Sequence, residues 1–174
     1  MNTASLWNYD PILAAEQSAY EQERDKSNVV VIDDSAVVRK LVETSLRRAG
    51  IRCTSYRDGF EALQAFKEGQ GHIPDLIFLD ISLPKLNGFD LLRLLKSSPR
   101  LDHTVIVMLS GRDSMIDRLK SRLAGAKGYI TKPFKPAELV SIIQSSLEHS
   151  SHEADFSGQQ QGHKRLVAKV WMDS

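Results

Sequence analysis

From residue 28 onward, short runs of β-branched and aliphatic residues alternate with stretches whose apolar positions recur every three to four residues. Continuous apolar runs of this length read as strands buried on both faces. The 3.6-residue recurrence reads as helices packed along one side. The pattern predicts strands at 28–33, 51–55, 75–80, 104–109 and 127–131, separated by helices at 35–49, 58–68, 87–97, 113–124 and 136–148. Local punctuation agrees. Ser35 is placed to cap the first helix, whose inner stripe would be Leu41, Val42, Ser45 and Leu46. Gly50 closes that helix, and Pro136 suits the first position of the last one. Regular β–α alternation predicts an α/β fold, a doubly wound five-stranded parallel sheet with helices on both faces. Right-handed crossovers then give the order 2-1-3-4-5.

The pattern is absent at both ends. Residues 1–27 set Arg24 and Lys26 against Asp10, Glu16, Glu21, Glu23 and Asp25, a net charge of −3. Asp10–Pro11 resembles a cap and first-turn proline, so a helix at 11–24 with a weak apolar side of Ile12, Leu13, Ala15, Ala19 and Tyr20 is expected within this arm. After residue 149 the stretch SSHEADFSGQQQGHK is too polar to offset the cost of ordering. A short apolar segment at 166–172 follows, with Leu166, Val167, Val170 and Trp171 on one helical face. The expected division is an arm at 1–27, one domain at 28–149 and a polar tail at 150–174.

Composition narrows the class without naming a chemistry. With 41% hydrophobic and 26% charged residues, the 174-residue chain is ordinary for a soluble globular protein. A net charge of +1 argues against a general nucleic-acid or membrane binder. No apolar run reaches the roughly 18 residues that span a bilayer, and MNTASLWNYD lacks the features of a signal peptide. The lone Cys53, in IRCTSY, has no internal disulfide partner and reads as a core filler. A cytoplasmic protein with no membrane insertion is the expectation.

Chemistry gathers at the strand ends. NVVVIDD stops on Asp33 and Asp34, LIFLD on Asp80, VIVMLS on Ser110, and GYITKP delivers Lys132. In a parallel sheet these groups meet at one edge, outside the carboxyl ends where open α/β sheets bind ligands. Three carboxylates brought together are costly unless a cation neutralises them, and Mg2+ favours a few carboxylates with waters and phosphate oxygens. An aspartate such as Asp80, held near that ion, is able to attack phosphorus. A backbone carbonyl of the following loop, that of Ser82, would complete the ion's shell. Ser110 and Lys132 would contact a phosphoryl group, and Lys132–Pro133 is a candidate cis peptide. Tyr129, three residues before the lysine, would swing between exposed and inward rotamers according to where Ser110 is drawn.

Taken together, VVVIDDS, LIFLDISLPKLNG, VIVMLSG and YITKPF, in this order and spacing, resemble the receiver domain of bacterial two-component response regulators over residues 28–149. The resemblance implies a flavodoxin-like receiver fold, for which the 2-1-3-4-5 order is a known mark, so that order is inherited from the likeness rather than discovered. It also implies Asp80 as phosphoacceptor, Asp33 and Asp34 as Mg2+ ligands with Asp80, Ser110 and Lys132 at the phosphoryl group, and Tyr129 as a switching aromatic. Ser82 and Arg112 fall where such domains tune hydrolysis of the acyl phosphate. MLSGRDSMIDRLKSRLAGAKGYITKPF is similar to stand-alone regulators of twitching motility and type IV pili.

The function so implied is a single-domain response regulator in a phosphorelay. It would take phosphate from a histidine kinase or a histidine phosphotransfer protein and signal to a downstream protein target without binding DNA directly. The output face would be the fourth helix, fifth strand and fifth helix, with Arg118, Lys120, Arg122, Lys127 and Lys135 beside Arg112; weak dimerisation would use the same face. An acidic partner segment suits those cations, the chain's own arm among them. A shuttle to a phosphotransfer protein, a small Mg2+-dependent aspartyl phosphatase and a phosphate-independent scaffold are the alternatives. Phosphatases of that type place nucleophile and acid two residues apart on one strand, whereas Asp33 and Asp34 are adjacent. Beyond self-phosphorylation and self-dephosphorylation, no enzyme activity is expected.

Overall fold

The computed structural model describes residues 27–68 and 73–153, with side chains through residue 146. The arm helix expected at 11–24 and the apolar segment at 166–172 lie outside the described residues. Within them run β1 (Asn28–Ile32), α1 (Ala36–Arg48), β2 (Arg52–Tyr56), α2 (Gly59–Glu68), β3 (Leu76–Asp80), α3 (Gly88–Lys96), β4 (Val105–Ser110), α4 (Met115–Leu123), β5 (Gly128–Thr131) and α5 (Pro136–Glu153). A 3-10 turn at Pro99–Leu101 interrupts the α3–β4 connection. The sheet is parallel throughout and ordered β2-β1-β3-β4-β5, as predicted.

Alternation along the central strands builds two cores from one sheet. Val29, Val31, Leu76, Phe78, Val107 and Leu109 face α1 and α5, where Val42, Leu46, Leu139 and Ile143 complete the layer. Val30, Ile32, Ile77, Leu79, Ile106 and Met108 face the other way, onto Ala62 of α2 and Leu91, Leu92 and Leu95 of α3. Burial on both faces is why these strands run without a break through apolar residues from Val29, Leu76 and Val105 and end abruptly at the next polar residue.

The helix ends follow local chemistry. Ser35, Asn87 and Ser114 cap α1, α3 and α4, each side-chain oxygen accepting an amide of the first turn. Gly50 and Gly125 take φ of +75° and +97° just past α1 and α4, the left-handed turn that glycine adopts without strain. Two details differ from the sequence reading. Leu41 of α1 is exposed, and the inner stripe is Val38, Val42 and Leu46, a strict four-residue step that leaves Leu41 rotated outward. The last helix continues to Glu153 rather than stopping at residue 148.

Candidate functional site

The carboxyl edge of β1, β3 and β5 brings three acids and a lysine together. Asp33 is fully buried and Asp80 is 2% exposed. With the exposed Asp34 they offer ligand atoms that all lie within 4.8 Å of one another. Lys132 Nζ donates to Asp33 Oδ2 at 2.6 Å and to Asp80 Oδ1 at 2.9 Å. The ammonium therefore bridges the two buried carboxylates. Burial works against its charge, yet its hydrogen bonds to Asp33 and Asp80 and their negative charge outweigh that and raise its pKa above the ordinary lysine value. Burial pushes the Asp33 carboxyl upward, opposed by Lys132 and by the Ser35 amide, which donates to Asp33 Oδ1 at 2.9 Å.

Adjacent aspartates on an extended strand would point apart, so the turn after β1 decides whether both reach the edge. Arg39, one turn into α1, donates to the carbonyls of Asp33 at 2.7 Å and Asp34 at 3.0 Å and holds that turn. In the sequence Arg39 is marked only as an arginine five and six residues beyond an acidic pair, near the start of a helix.

The loop after Asp80 is fixed by close approach. The Gly88 amide donates to Ile81 O at 2.9 Å, and a Cβ on Gly88 would lie 2.2 Å from the Asp80 carbonyl oxygen. Only a residue with no side chain lets α3 start against the peptide that carries Asp80. Lys85 completes the turn at φ +66° and pairs with Asp58 at 3.6 Å. Ser82, whose carbonyl was expected to join the ion's shell, is exposed in this loop two residues past Asp80.

The fourth strand behaves differently from expectation. Ser110 is buried at the edge, but its hydroxyl donates to Arg112 O at 2.9 Å and accepts the Arg112 amide at 3.1 Å. Tyr129 is 3% exposed, its ring inside the structure and its hydroxyl donating to the same Arg112 carbonyl at 2.8 Å. Arg118 lies across the ring, its guanidinium carbon 4.8 Å from the centroid. It is also anchored to Asp113 at 2.9 Å, and its side chain is 16% exposed. Arg118, expected among the output-face cations, is mostly covered here: a planar, weakly hydrated guanidinium found an aromatic face and a carboxylate. Lys120, Arg122, Lys127, Lys135 and the Arg112 side chain remain on the surface. Lys132–Pro133 is cis.

Three acidic oxygens and an ammonium suit a hard divalent ion beside a phosphoryl group. The donor set is all oxygen, two of the acids are buried, and one face is open through Asp34, the combination Mg2+ accepts while keeping waters.

Residues 29–144 match the family described as response regulator receiver domain. The Pseudomonas aeruginosa protein PilG is 37% identical over 125 residues, which cover 72% of this chain and 90% of PilG. MtrA of Mycobacterium tuberculosis, a DNA-binding response regulator, is 34% identical over 74% of this chain but only 54% of its own length, so the chain spans about half of that relative. Among solved structures, the Vibrio cholerae chemotaxis protein CheY4 aligns with a TM-score of 0.64 and 29% identity, covering 70% of this chain and 98% of that one.

Proposed function

The chain belongs to the response regulator receiver domain family, and from that membership we propose that Asp80 accepts a phosphoryl group from a phosphohistidine partner and that the phosphorylated domain signals by protein–protein contact. The observation that carries the reading is the Lys132 bridge between Asp33 and Asp80 at 2.6 and 2.9 Å. Such an ammonium balances two buried acids at rest and is placed to turn toward new phosphoryl oxygens.

Asp33, Asp34 and Asp80 would hold Mg2+ with the Ser82 carbonyl. When bound, that ion supplies positive charge that offsets repulsion between the carboxylates and an incoming phosphoryl group. In the transfer, an Asp80 carboxylate oxygen forms the O–P bond as the N–P bond of the donor imidazole breaks. The electron pair returns to the imidazole nitrogen, which takes up a proton. Lys132 pairs with the transferred group as a point charge. The Ser110 hydroxyl leaves Arg112 to donate to a phosphoryl oxygen, and Tyr129, which shares the Arg112 carbonyl, responds. Ser82 and Arg112, two residues past Asp80 and Ser110, set access of water to the acyl phosphate.

The 37% identity to PilG, 90% of which is covered, supports a signalling role carried by the receiver domain, which we assign to motility or pilus control. A histidine kinase or phosphotransfer protein is the donor, and a protein target reads the face of α4, β5 and α5. No helix among the described residues is long and apolar enough to cross a membrane. Intact-mass measurement after incubation with Mg2+ and a small acyl-phosphate donor should show one added phosphoryl group, absent from Asp80→Asn. Full loading of that variant would remove Asp80 from the role.

A further inference from the structure

Helix α4 is amphipathic in the wrong sense for a core helix. Its buried side chain is Ser121, whose hydroxyl turns back onto the Asp117 carbonyl. Its large apolar residues face outward: Met115 is 85% exposed, Ile116 65%, Leu119 57% and Leu123 79%. At 3.6 residues per turn these four fall within roughly 100° of one another, on the side away from Ser121. Exposed Lys120 and Arg122 bracket the stripe, and Lys127 lies just beyond its end. Of the nearby acids among the described residues, Asp113 is tied to Arg118, and Asp117 lies beside Ser121, about 150° round the helix from the centre of the stripe, leaving Arg122 and Lys127 without an acid beside them on the stripe's edge. A contiguous apolar patch rimmed by one sign of charge marks a contact surface.

We propose that this face of α4 seats the acidic segment 1–26 of the same chain, so that the domain covers its own contact surface. Charge selects the occupant. Residues 1–26 carry Asp10, Glu16, Glu21, Glu23 and Asp25 against Arg24 and Lys26, interleaved with Trp7, Ile12, Leu13 and Tyr20. The segment 154–174 is also apolar in part, but Lys164, Arg165 and Lys169 against Asp155 and Asp173 leave it positive and mismatched. A second copy of α4 would set Lys120 and Arg122 against their own kind.

Topology supplies the reach. In a parallel sheet the start of β1 and the end of α4 lie at the same edge, and β1 stands two places from β4 in the order. That is about 10 Å across the strands, which 26 residues cover even when helical at about 1.5 Å each. The inference is independent of phosphoryl chemistry at Asp80, so either stands if the other fails. A partner would then have to displace the segment, and any partner that does so should itself be acidic and apolar.

The test uses the full chain with Ser18→Cys carrying a nitroxide spin label; Cys53, whose thiol is pushed up to about 12 by burial, leaves residue 18 as the reactive site. Amide peak intensities are read with the label oxidised and reduced. Loss of intensity is expected across 115–127, unchanged on dilution, and restored when Glu16, Glu21 and Glu23 are replaced by Lys. Leu119→Ser with Leu123→Ser, both on the surface, should restore it as well. Intensity retained on α4, a loss that fades on dilution, or a loss that persists in the charge-reversed segment would each overturn the proposal.

Discussion

Replacing Lys132 with methionine isolates the electrostatic claim at the centre of the site. Methionine keeps much of the aliphatic stem and removes the charge, leaving Asp33 and Asp80 facing one another with ligand oxygens within 4.8 Å. At an effective dielectric near 20, two unit charges at that separation repel by about 3.5 kcal/mol. The lysine side chain is 20% exposed and the two aspartates 0% and 3%, so solvent screens little of this. Breaking a buried ion pair by removing one partner costs about 3–5 kcal/mol, in accord with that figure. Urea unfolding at pH 7 in EDTA should therefore find Lys132→Met about 3 kcal/mol less stable than the natural chain.

Saturating Mg2+ should close most of that gap. A ligand at a hundred times its Kd stabilises by about 2.7 kcal/mol, and the variant gains more because no ammonium competes for the carboxylates. Mg2+ should accordingly bind Lys132→Met more tightly than the natural chain, while phosphoryl uptake falls. An identical stability difference in EDTA and in Mg2+ would refute the reasoning, since it would reduce the lysine to packing alone.

Three further outcomes follow from single contacts. Gly88→Ala forces a Cβ to within 2.2 Å of the Asp80 carbonyl oxygen, and backbone cannot yield as a side chain does; urea unfolding should show a loss of about 3 kcal/mol or more, with reduced phosphoryl loading. The Cys53 thiol is pushed up to about 12 by burial and then by the Glu43 carboxylate, so iodoacetamide at pH 8 should modify the chain only after denaturation, and rapid alkylation of the folded chain would contradict that burial. Asp58 is held below its ordinary 3.8 by the Glu61 amide, burial opposing and Lys85 assisting. A depressed folded pKa means stability present above the unfolded value and lost as pH falls through the folded one, so Asp58→Asn should differ from the natural chain most at neutral pH and converge with it only once pH has fallen past the ordinary 3.8 and through the lower folded value.

Much of this architecture was legible because strands covered on both faces cannot hide a polar residue. Asp33, Asp80 and Ser110 each follow an unbroken apolar run, Lys132 follows the short strand GYIT, and parallel pairing leaves them no place but one edge. Strand and helix positions came from the same rule, whereas their ends were set by main-chain geometry: the last helix runs to Glu153 because nothing in its polar sequence breaks it. Side-chain direction was less legible. Leu41 and Val38 are equally apolar, and only the pitch of the packed helix turns Val38 inward and Leu41 out. Arg118 reads as one cation among several until β5 brings Tyr129 beneath it. The Ser110 rotamer depends on Arg112, a neighbour whose main chain, not its side chain, makes the bond. The outward apolar stripe of α4 was visible as spacing, but which side of that helix meets the sheet was not.

One carbonyl, that of Arg112, receives both Ser110 and Tyr129. Because the junction is a peptide oxygen, communication between the sheet edge and the aromatic survives exchange of nearly any side chain at that position. Under the proposed function, the lifetime of the phosphorylated form and the wiring that broadcasts it would then be adjusted separately, the first through what residue 112 displays to water, the second through partners it never touches with its side chain.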